Sequence, residues 1–369
     1  MRPHSRGWEA ICPSCRTCNN RQPLGESASG QADTHVGGLT FPFFVPEVDK
    51  ARVRSLEVPL GGRFGALTNE LDSAVLNDGI SIVTRTCGAG PVAVLLLHGA
   101  GRSLADWSPL TKELSSSCTM ISMDLRGHGL SQSGPWNLTS ICSDIEAVMN
   151  GYGISRAVLV GHSLGGVLAH LFAERREKVS AVINIDGFSL AADEHVGLSP
   201  RTVTKQLATK RLEFMRTRIS HSLDEIERQV ALSAERYGQD KACVRERFFR
   251  CLQEDQAGQF SRRGDVQTLQ GVFDLYQGYL LQHSLFEKIA GTIVPTLIIQ
   301  ASPLGPTHHK HPEPEKRLWN SYSKGIDRGL QRIQSLANVT VRAVDAGHNM
   351  IYENVAVTAD LVRRFLAAM

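Results

Sequence analysis

The chain has 369 residues, of which 42% are hydrophobic and 21% are charged, and this composition excludes a wholly disordered or fibrous protein. Lys and Arg number 40 against 37 Asp and Glu, so the net charge of +3 gives no sign of a nucleic-acid partner. No apolar run approaches the roughly 20 residues that span a bilayer, and residues 1–20 lack the apolar centre of a secretory signal. We therefore expect a cytoplasmic protein without a membrane span.

Residues 1–45 lack hydrophobic periodicity and are rich in Gly, Ser, Pro, Arg and Asn, which predicts a disordered N-terminal extension. Three of the eight cysteines, Cys12, Cys15 and Cys18, form two overlapping C-x-x-C spacings there. A structural zinc site needs four ligands, and His4 is the only nearby candidate for the fourth. We expect free thiols, no bound metal and no cofactor.

From about residue 52, short apolar segments alternate with helical patterns, which is typical of an α/β fold with a parallel sheet covered on both faces. The predicted strands are 52–60, 79–86, 92–97, 118–123, 157–160, 181–185, 295–299 and 339–344. The predicted helices are 104–114, 138–149, 166–175 and 356–366.

Residues 187–290, which we call the insertion, interrupt this alternation. Apolar residues recur there at spacings of three, four and seven, so the insertion is predicted to be helical and to contain no strand. It divides a core made of residues 46–186 and 291–369, and we expect it to form a cap over the end of the sheet.

The sequence Gly161-His-Ser-Leu-Gly165 lies between a predicted strand and a predicted helix. A sharp strand-to-helix turn of this kind exposes the serine hydroxyl at the end of the sheet, and the flanking glycines let neighbouring backbones approach it. The helix that begins there directs its N–H groups toward developing negative charge. This pattern predicts that Ser163 is a nucleophile.

Two further motifs follow predicted strands. His98-Gly-Ala-Gly101 follows the 92–97 strand, and an oxyanion hole needs one N–H from such a loop and one from the residue after the serine, which indicates Ala100 and Leu164. His348 follows the last strand, and a serine needs a base whose pKa lies near neutrality, so His348 is the candidate base. His98 is expected to bond within its own turn.

These motifs, together with Asp124-Leu-Arg-Gly-His-Gly129, occur in an order that resembles the α/β-hydrolase-fold superfamily over residues 50–369. The resemblance implies a Ser–His–acid triad, an oxyanion hole, hydrolysis through an acyl-enzyme and no cofactor. It does not imply one substrate, since this fold supports many reactions. Asp124, Arg126 and His128 are expected to form a hydrogen-bonded loop beside the site.

The acid departs from the commonest pattern of that family, which places an Asp soon after the 295–299 strand. Here that segment has no carboxylate, and Asp186, at the end of the 181–185 strand, is the first candidate, as in some relatives. Alternatives are Glu313, Glu315 or Asp327 in the loop expected to follow, and Asp345. The histidines His308, His309 and His311 are expected in an exposed loop and not at a metal.

The sequence thus predicts a serine hydrolase that acts on an ester, lactone or thioester of a medium-sized, fairly hydrophobic small molecule. A carbon–carbon bond hydrolase and an acyltransferase with the same triad remain open. So does a small-molecule receptor without enzymatic activity. The near-balanced charges of the insertion do not indicate a strongly acidic or basic substrate.

Overall fold

The computed structural model describes residues 53–55, 72–216, 220–302 and 313–369. The predicted extension with Cys12, Cys15 and Cys18, and the segment with His308, His309 and His311, lie outside these residues. The strands are β1 Val53–Ser55, β2 Asp72–Asn77, β3 Ile80–Cys87, β4 Val92–Leu97, β5 Cys118–Met123, β6 Ala157–His162, β7 Val179–Ile185, β8 Leu252–Glu254, β9 Phe260–Arg262, β10 Thr296–Ala301 and β11 Val339–Val344.

The helices flank the main sheet or belong to the insertion. They are α1 Ser108–Leu114, α2 Leu138–Gly151, α3 Leu164–Phe172, α4 Pro200–Arg216, α5 Leu223–Tyr237, α6 Lys241–Phe249, α7 Val266–Asp274, α8 Leu285–Ala290, α9 Glu313–Ile333, α10 Met350–Glu353 and α11 Val355–Ala367. A 3₁₀ turn, Leu104–Trp107, precedes α1, and a π-helical turn, Leu275–Tyr279, follows α7.

Within the described residues, the main sheet has the strand order β1-β2-β3-β5-β4-β6-β7-β10-β11. The run from β5 to β11 is parallel, whereas β1, β2 and β3 pair antiparallel at one edge. The central strand β6 is buried along its whole length, which explains the apolar run at residues 157–160. Since neighbouring parallel strands end at the same edge, the residues that follow β4, β6, β7 and β11 lie together there.

Four elements, β2, β8, β9 and α9, differ most from the sequence prediction. Strand β2 was not predicted, although Asp78 and Gly79, both with positive φ, form the tight turn that joins it to β3. Strands β8 and β9 form an antiparallel hairpin, so the prediction that the insertion contains no strand was wrong. The region expected as a loop before β11 contains the 21-residue helix α9.

Helix α6 of the insertion is joined to the main sheet by a buried group of charged side chains, the ion cluster: Asp72, Arg85, Asp124, Glu246 and Arg250. Arg250 donates to Asp72 at 2.7 Å and to Asp124 at 3.0 Å. Arg85 donates to Asp72 at 2.8 Å and to Glu246 at 2.5 Å. The cluster therefore links strands β2 and β3, the loop after β5, and the insertion.

Candidate active site

Ser163 occupies the turn between β6 and α3, with φ 55° and ψ −118°. A residue with a Cβ rarely adopts such a conformation, and it persists only where the surroundings impose it. They do so here by close backbone contact. A Cβ on Gly161 would lie 2.1 Å from the carbonyl oxygen of Gly165, and one on Gly165 would lie 1.9 Å from that of Leu97. Only glycine fits at both positions, and the side chain of Ser163 is left partly exposed.

Asp186 and His348 meet at the same edge of the sheet. The Nδ1 of His348 donates to Oδ2 of Asp186 at 2.6 Å, and the backbone N–H of Ala301 donates to Oδ1 at 3.0 Å. Asp186 is buried, whereas 31% of the side chain of His348 is exposed. In the neutral imidazole that donates to the carboxylate from Nδ1, the other nitrogen, Nε2, is the hydrogen-bond acceptor.

Asp186 also has a positive φ, of 52°, directly after β7. Its own N–H donates to the carbonyl of Ile299, and the N–H of Ser163 donates to the carbonyl of Ile185. The turn that holds Ser163 and the residue that faces His348 are thus fixed to adjacent strands. The sequence prediction had named all three residues, and the geometry brings them to one edge.

His162 has a role that the sequence analysis did not anticipate. Its Nε2 donates to the backbone carbonyl of His348 at 2.8 Å, and the two imidazole rings lie 4.8 Å apart between centroids. Burial, followed by the charge of His348, lowers the pKa of His162 to about 3, so this ring is neutral near pH 7. The only sequence signal was its position beside Ser163.

The loop after β4 lies against the serine turn. A Cβ on Gly99 would be 3.3 Å from the Cβ of Ser163. His98 is buried and holds this loop to the next one, because its Nδ1 donates to the Gly99 carbonyl and its Nε2 accepts from the N–H of Leu125. Ala100 is exposed at the tip, and Leu164 is the first residue of α3, whose N–H has no partner within the helix.

The alternative acids lie elsewhere. Glu313, Glu315 and Asp327 are on helix α9 and not in a loop, which corrects their expected setting. Glu315 pairs with Lys210 at 2.9 Å, and Glu313 is exposed beside Lys316. Asp327 and Asp345 are exposed.

The Asp124 motif connects different parts of the chain. Asp124 accepts from the N–H groups of Leu104 and Leu130 as well as from Arg250. Burial alone would raise the pKa of Asp124, but the charge of Arg250 and these hydrogen bonds outweigh burial, and the pKa is lowered. Arg126 pairs with Asp144 on α2 at 2.6 Å. The motif is a local loop, as expected, but it also anchors the insertion.

A pocket of about 450 Å³ opens beside the loop after β4. Its walls come from that loop, from the insertion and from α9, and the insertion contributes most of the lining. Aromatic side chains that line it are Phe188, Phe273, Tyr276, Trp319 and Tyr322. Burial raises the pKa of Tyr276 and of Tyr322, so both phenols are neutral.

No group of His, Cys, Asp and Glu side chains suited to a metal ion occurs in the part of the chain that the structure describes. In the same residues, no helix is both long and apolar enough to cross a membrane.

Comparisons with known proteins agree with this architecture. The family model described as alpha/beta hydrolase fold matches residues 92–355. The chain is 35% identical over 106 residues to a protein of Mycobacterium tuberculosis named Lipase LipV, a match that covers 28% of this chain and 40% of that protein. It is 31% identical over 113 residues to the putative carbamate hydrolase RutD of Caulobacter segnis, covering 29% of this chain and 42% of that protein. The chain thus spans less than half of these two relatives.

Among solved structures, E-2-(acetamidomethylene)succinate hydrolase superposes with a TM-score of 0.59 at 20% identity, over 81% of this chain and 100% of that one. At 20% identity, this similarity shows a shared fold and no more. The family model covers most of the chain and includes the serine turn, Asp186 and His348. The chain therefore belongs to the α/β-hydrolase-fold family.

Proposed function

We propose that the protein is a serine hydrolase that cleaves an ester, lactone or thioester through an acyl-enzyme. The observation that carries this proposal is the 2.6 Å hydrogen bond between His348 and Asp186 at the sheet edge where the strained turn presents Ser163. A base held in one tautomer, at the sheet edge that also carries a partly exposed serine, is the arrangement expected of an activated serine.

In the first half of the reaction, Oγ of Ser163 attacks the acyl carbonyl, and Nε2 of His348 accepts the serine proton. The N–H groups of Ala100 and Leu164 bind the oxyanion, aided by the N-terminal end of α3. Asp186 stabilises the imidazolium. The tetrahedral intermediate then breaks its bond to the leaving group, which takes the proton from His348.

In the second half, water enters in place of the leaving group. His348 accepts a proton from the water, whose oxygen attacks the acyl carbonyl. Collapse of the second intermediate breaks the bond to Oγ, releases the acid and returns the proton to Ser163. His162 is a positioning residue in this scheme, since its bond to the His348 carbonyl holds the loop that carries the base.

The pocket supports a substrate of medium size with an apolar body, because aromatic and aliphatic side chains form most of its wall. We propose that the insertion acts as a cap that excludes water from the reacting carbonyl. The names of the two curated relatives, a lipase and a putative carbamate hydrolase, are those of hydrolases and fit this reaction class.

The first test is labelling with a fluorophosphonate, which reacts with activated serines. The wild-type protein should be labelled, and Ser163→Ala should not, because the reactive oxygen is removed. Ser116→Ala is the matched control, since Ser116 is exposed in the turn after α1 and should leave labelling intact.

Failure of the wild type to react, under conditions that label a reference serine hydrolase, would contradict the proposal and favour a receptor. If labelling is seen, p-nitrophenyl esters of increasing chain length, with lactones and thioesters alongside, should identify the acyl group. We expect kcat/KM to rise with chain length until the pocket is filled.

A further inference from the structure

The charged groups among the described residues that line the pocket are all of one sign. Among the described lining residues, Lys210 and Arg262 are cations, and none is Asp or Glu. The two histidines in the wall do not offset this, because burial lowers the pKa of His128 and of His195 to about 4 and both are neutral near pH 7. An apolar pocket with this lining attracts an anion more strongly than a neutral molecule of the same shape.

The two cations differ in their surroundings. Lys210 forms an ion pair with Glu315 at 2.9 Å, which offsets its charge. Arg262, on β9, reaches the loop after β4. Its Nη1 lies 2.8 Å from the point where a Cβ on Gly101 would be. Gly101 has a φ of +67°, so the absence of a side chain there permits both the turn and the approach of the guanidinium.

This position is close to the reacting centre. Gly101 follows Ala100, the proposed oxyanion donor, and lies two residues after Gly99, whose Cβ position is 3.3 Å from the Cβ of Ser163. At most about 7 Å of backbone separates Gly99 from Gly101. Arg262 therefore lies at the end of the pocket formed by the loop after β4, the loop that contacts the serine turn, whereas Lys210 is held by its ion pair with Glu315 on α9.

We propose that Arg262 binds a carboxylate of the substrate, so that the substrate class is an apolar ester, lactone or thioester that also carries a carboxylate. This inference rests on the proposed function and narrows it. A half-buried guanidinium suits this task, because its planar fork bonds both carboxylate oxygens and the apolar wall keeps competing water low. The proposal differs from the sequence-based expectation, which found no charge preference in the insertion as a whole.

The test compares pairs of esters of similar size in which one member carries a carboxylate and the other does not. Hydrolysis of p-nitrophenyl hydrogen adipate, which carries a carboxylate on its acyl part, is measured against p-nitrophenyl heptanoate. A second pair, 4-carboxyphenyl and phenyl hexanoate, places the carboxylate on the leaving group and distinguishes the two possible locations. We expect a higher kcat/KM for the anionic member of one pair.

Arg262→Gln should lower that anionic-to-neutral ratio about tenfold, since a hydrogen bond to a charged group is lost. Arg262→Lys keeps the charge but loses the planar fork, so it should retain only part of the ratio and fall between the wild type and Arg262→Gln. Arg228→Gln is the matched control, because Arg228 is exposed on α5 of the same insertion and does not line the pocket. In the wild type, salt raised to about 0.5 M should reduce the ratio by screening, a measurement that needs no variant.

Wild-type kinetics that favour the neutral member of both pairs would overturn the proposal. So would a ratio that Arg262→Gln and salt leave unchanged. Fluorophosphonate labelling of the same samples separates the two levels of inference. A labelled enzyme without anion preference rejects the role of Arg262 and leaves the serine hydrolase standing, whereas an unlabelled wild type rejects the proposed function itself.

Discussion

The serine site (Ser163, Asp186 and His348) and the ion cluster both collect polar side chains around the main sheet, and they differ in access to solvent. In the ion cluster every side chain is buried and the partners are opposite charges within hydrogen-bond distance. In the serine site the one carboxylate is buried, while His348 and Ser163 are partly open. Buried charges that satisfy one another hold elements together, whereas chemistry needs a group left open to substrate.

If this contrast is right, damage to the serine site should reduce turnover and leave the fold intact. Asp186→Asn should lower kcat by about 10³ to 10⁴. The new amide N–H would face Nδ1 of His348 and favour the tautomer with Nε2 protonated, which cannot accept the serine proton. Steady-state kinetics with a p-nitrophenyl ester and an unfolding curve measure both quantities.

Asp345→Asn is the control for that variant, because Asp345 is exposed on the segment between β11 and His348. Its kcat should match the wild type. A kcat within tenfold of the wild type for Asp186→Asn would contradict the assignment of Asp186 as the acid.

Damage to the ion cluster should instead lower the stability of the fold and leave turnover nearly unchanged. Arg250→Met leaves Asp72 and Asp124 without their shared cation, so the free energy of unfolding should fall by about 3 to 5 kcal/mol. The kcat of the folded fraction should change by less than tenfold. Urea unfolding followed by fluorescence, with kcat measured at low temperature, tests the two statements together.

Arg228→Met removes the same charge from an exposed position on α5 and should change the free energy of unfolding by less than about 0.5 kcal/mol. Equal losses in Arg250→Met and Arg228→Met would mean that the ion cluster contributes no more than a surface arginine. A large loss of kcat in Arg250→Met would mean that the cluster supports the chemistry directly.

The smallest effect concerns the strain at Ser163. Ser163→Gly should be more stable to unfolding than Ser163→Ala by about 1 kcal/mol, because glycine adopts a φ of 55° without the cost that a Cβ imposes. Both variants lack the hydroxyl, so their difference isolates the backbone. Denaturant unfolding of the pair gives the value.

Position 323, within helix α9, is the control, because glycine should be less stable than alanine there. There Ser323→Gly should be less stable than Ser323→Ala by about 0.5 to 1 kcal/mol, since glycine is unfavourable inside a helix. The same sign at both positions would argue that the turn at Ser163 is relaxed and that the serine site is held at no cost.

Much of the parallel part of the sheet could be predicted from sequence because buried strands read as apolar runs and the glycine-rich turns follow them directly. The missed elements carry weaker signals. The pattern of strand β2 mixes buried, half-buried and exposed positions, and β8 and β9 have three residues each. Helix α9 does show a four-residue repeat at Leu318, Tyr322, Ile326 and Leu330, which the sequence analysis overlooked.

The candidate site likewise contains residues that could be predicted from the sequence and contacts that could not. Ser163, His348 and the two proposed oxyanion donors belong to local motifs, and Asp186 could be suggested because it ends a strand. The contact of Arg262 with the loop after β4, and the pairing of Asp72 with Arg250 across 178 positions, have no local signature. Such contacts depend on how the insertion packs, and periodicity in a single sequence does not encode that packing.

The close approach of Gly161, Gly165 and the end of β4 has a consequence for how such chains diverge. The serine turn is shaped by backbone atoms in contact and not by the side chains around it. Substitution is therefore strictly constrained at a few glycines, while many other positions of the fold carry no such backbone constraint. A fold shared at 20% identity with a solved hydrolase is what such a division of constraint permits.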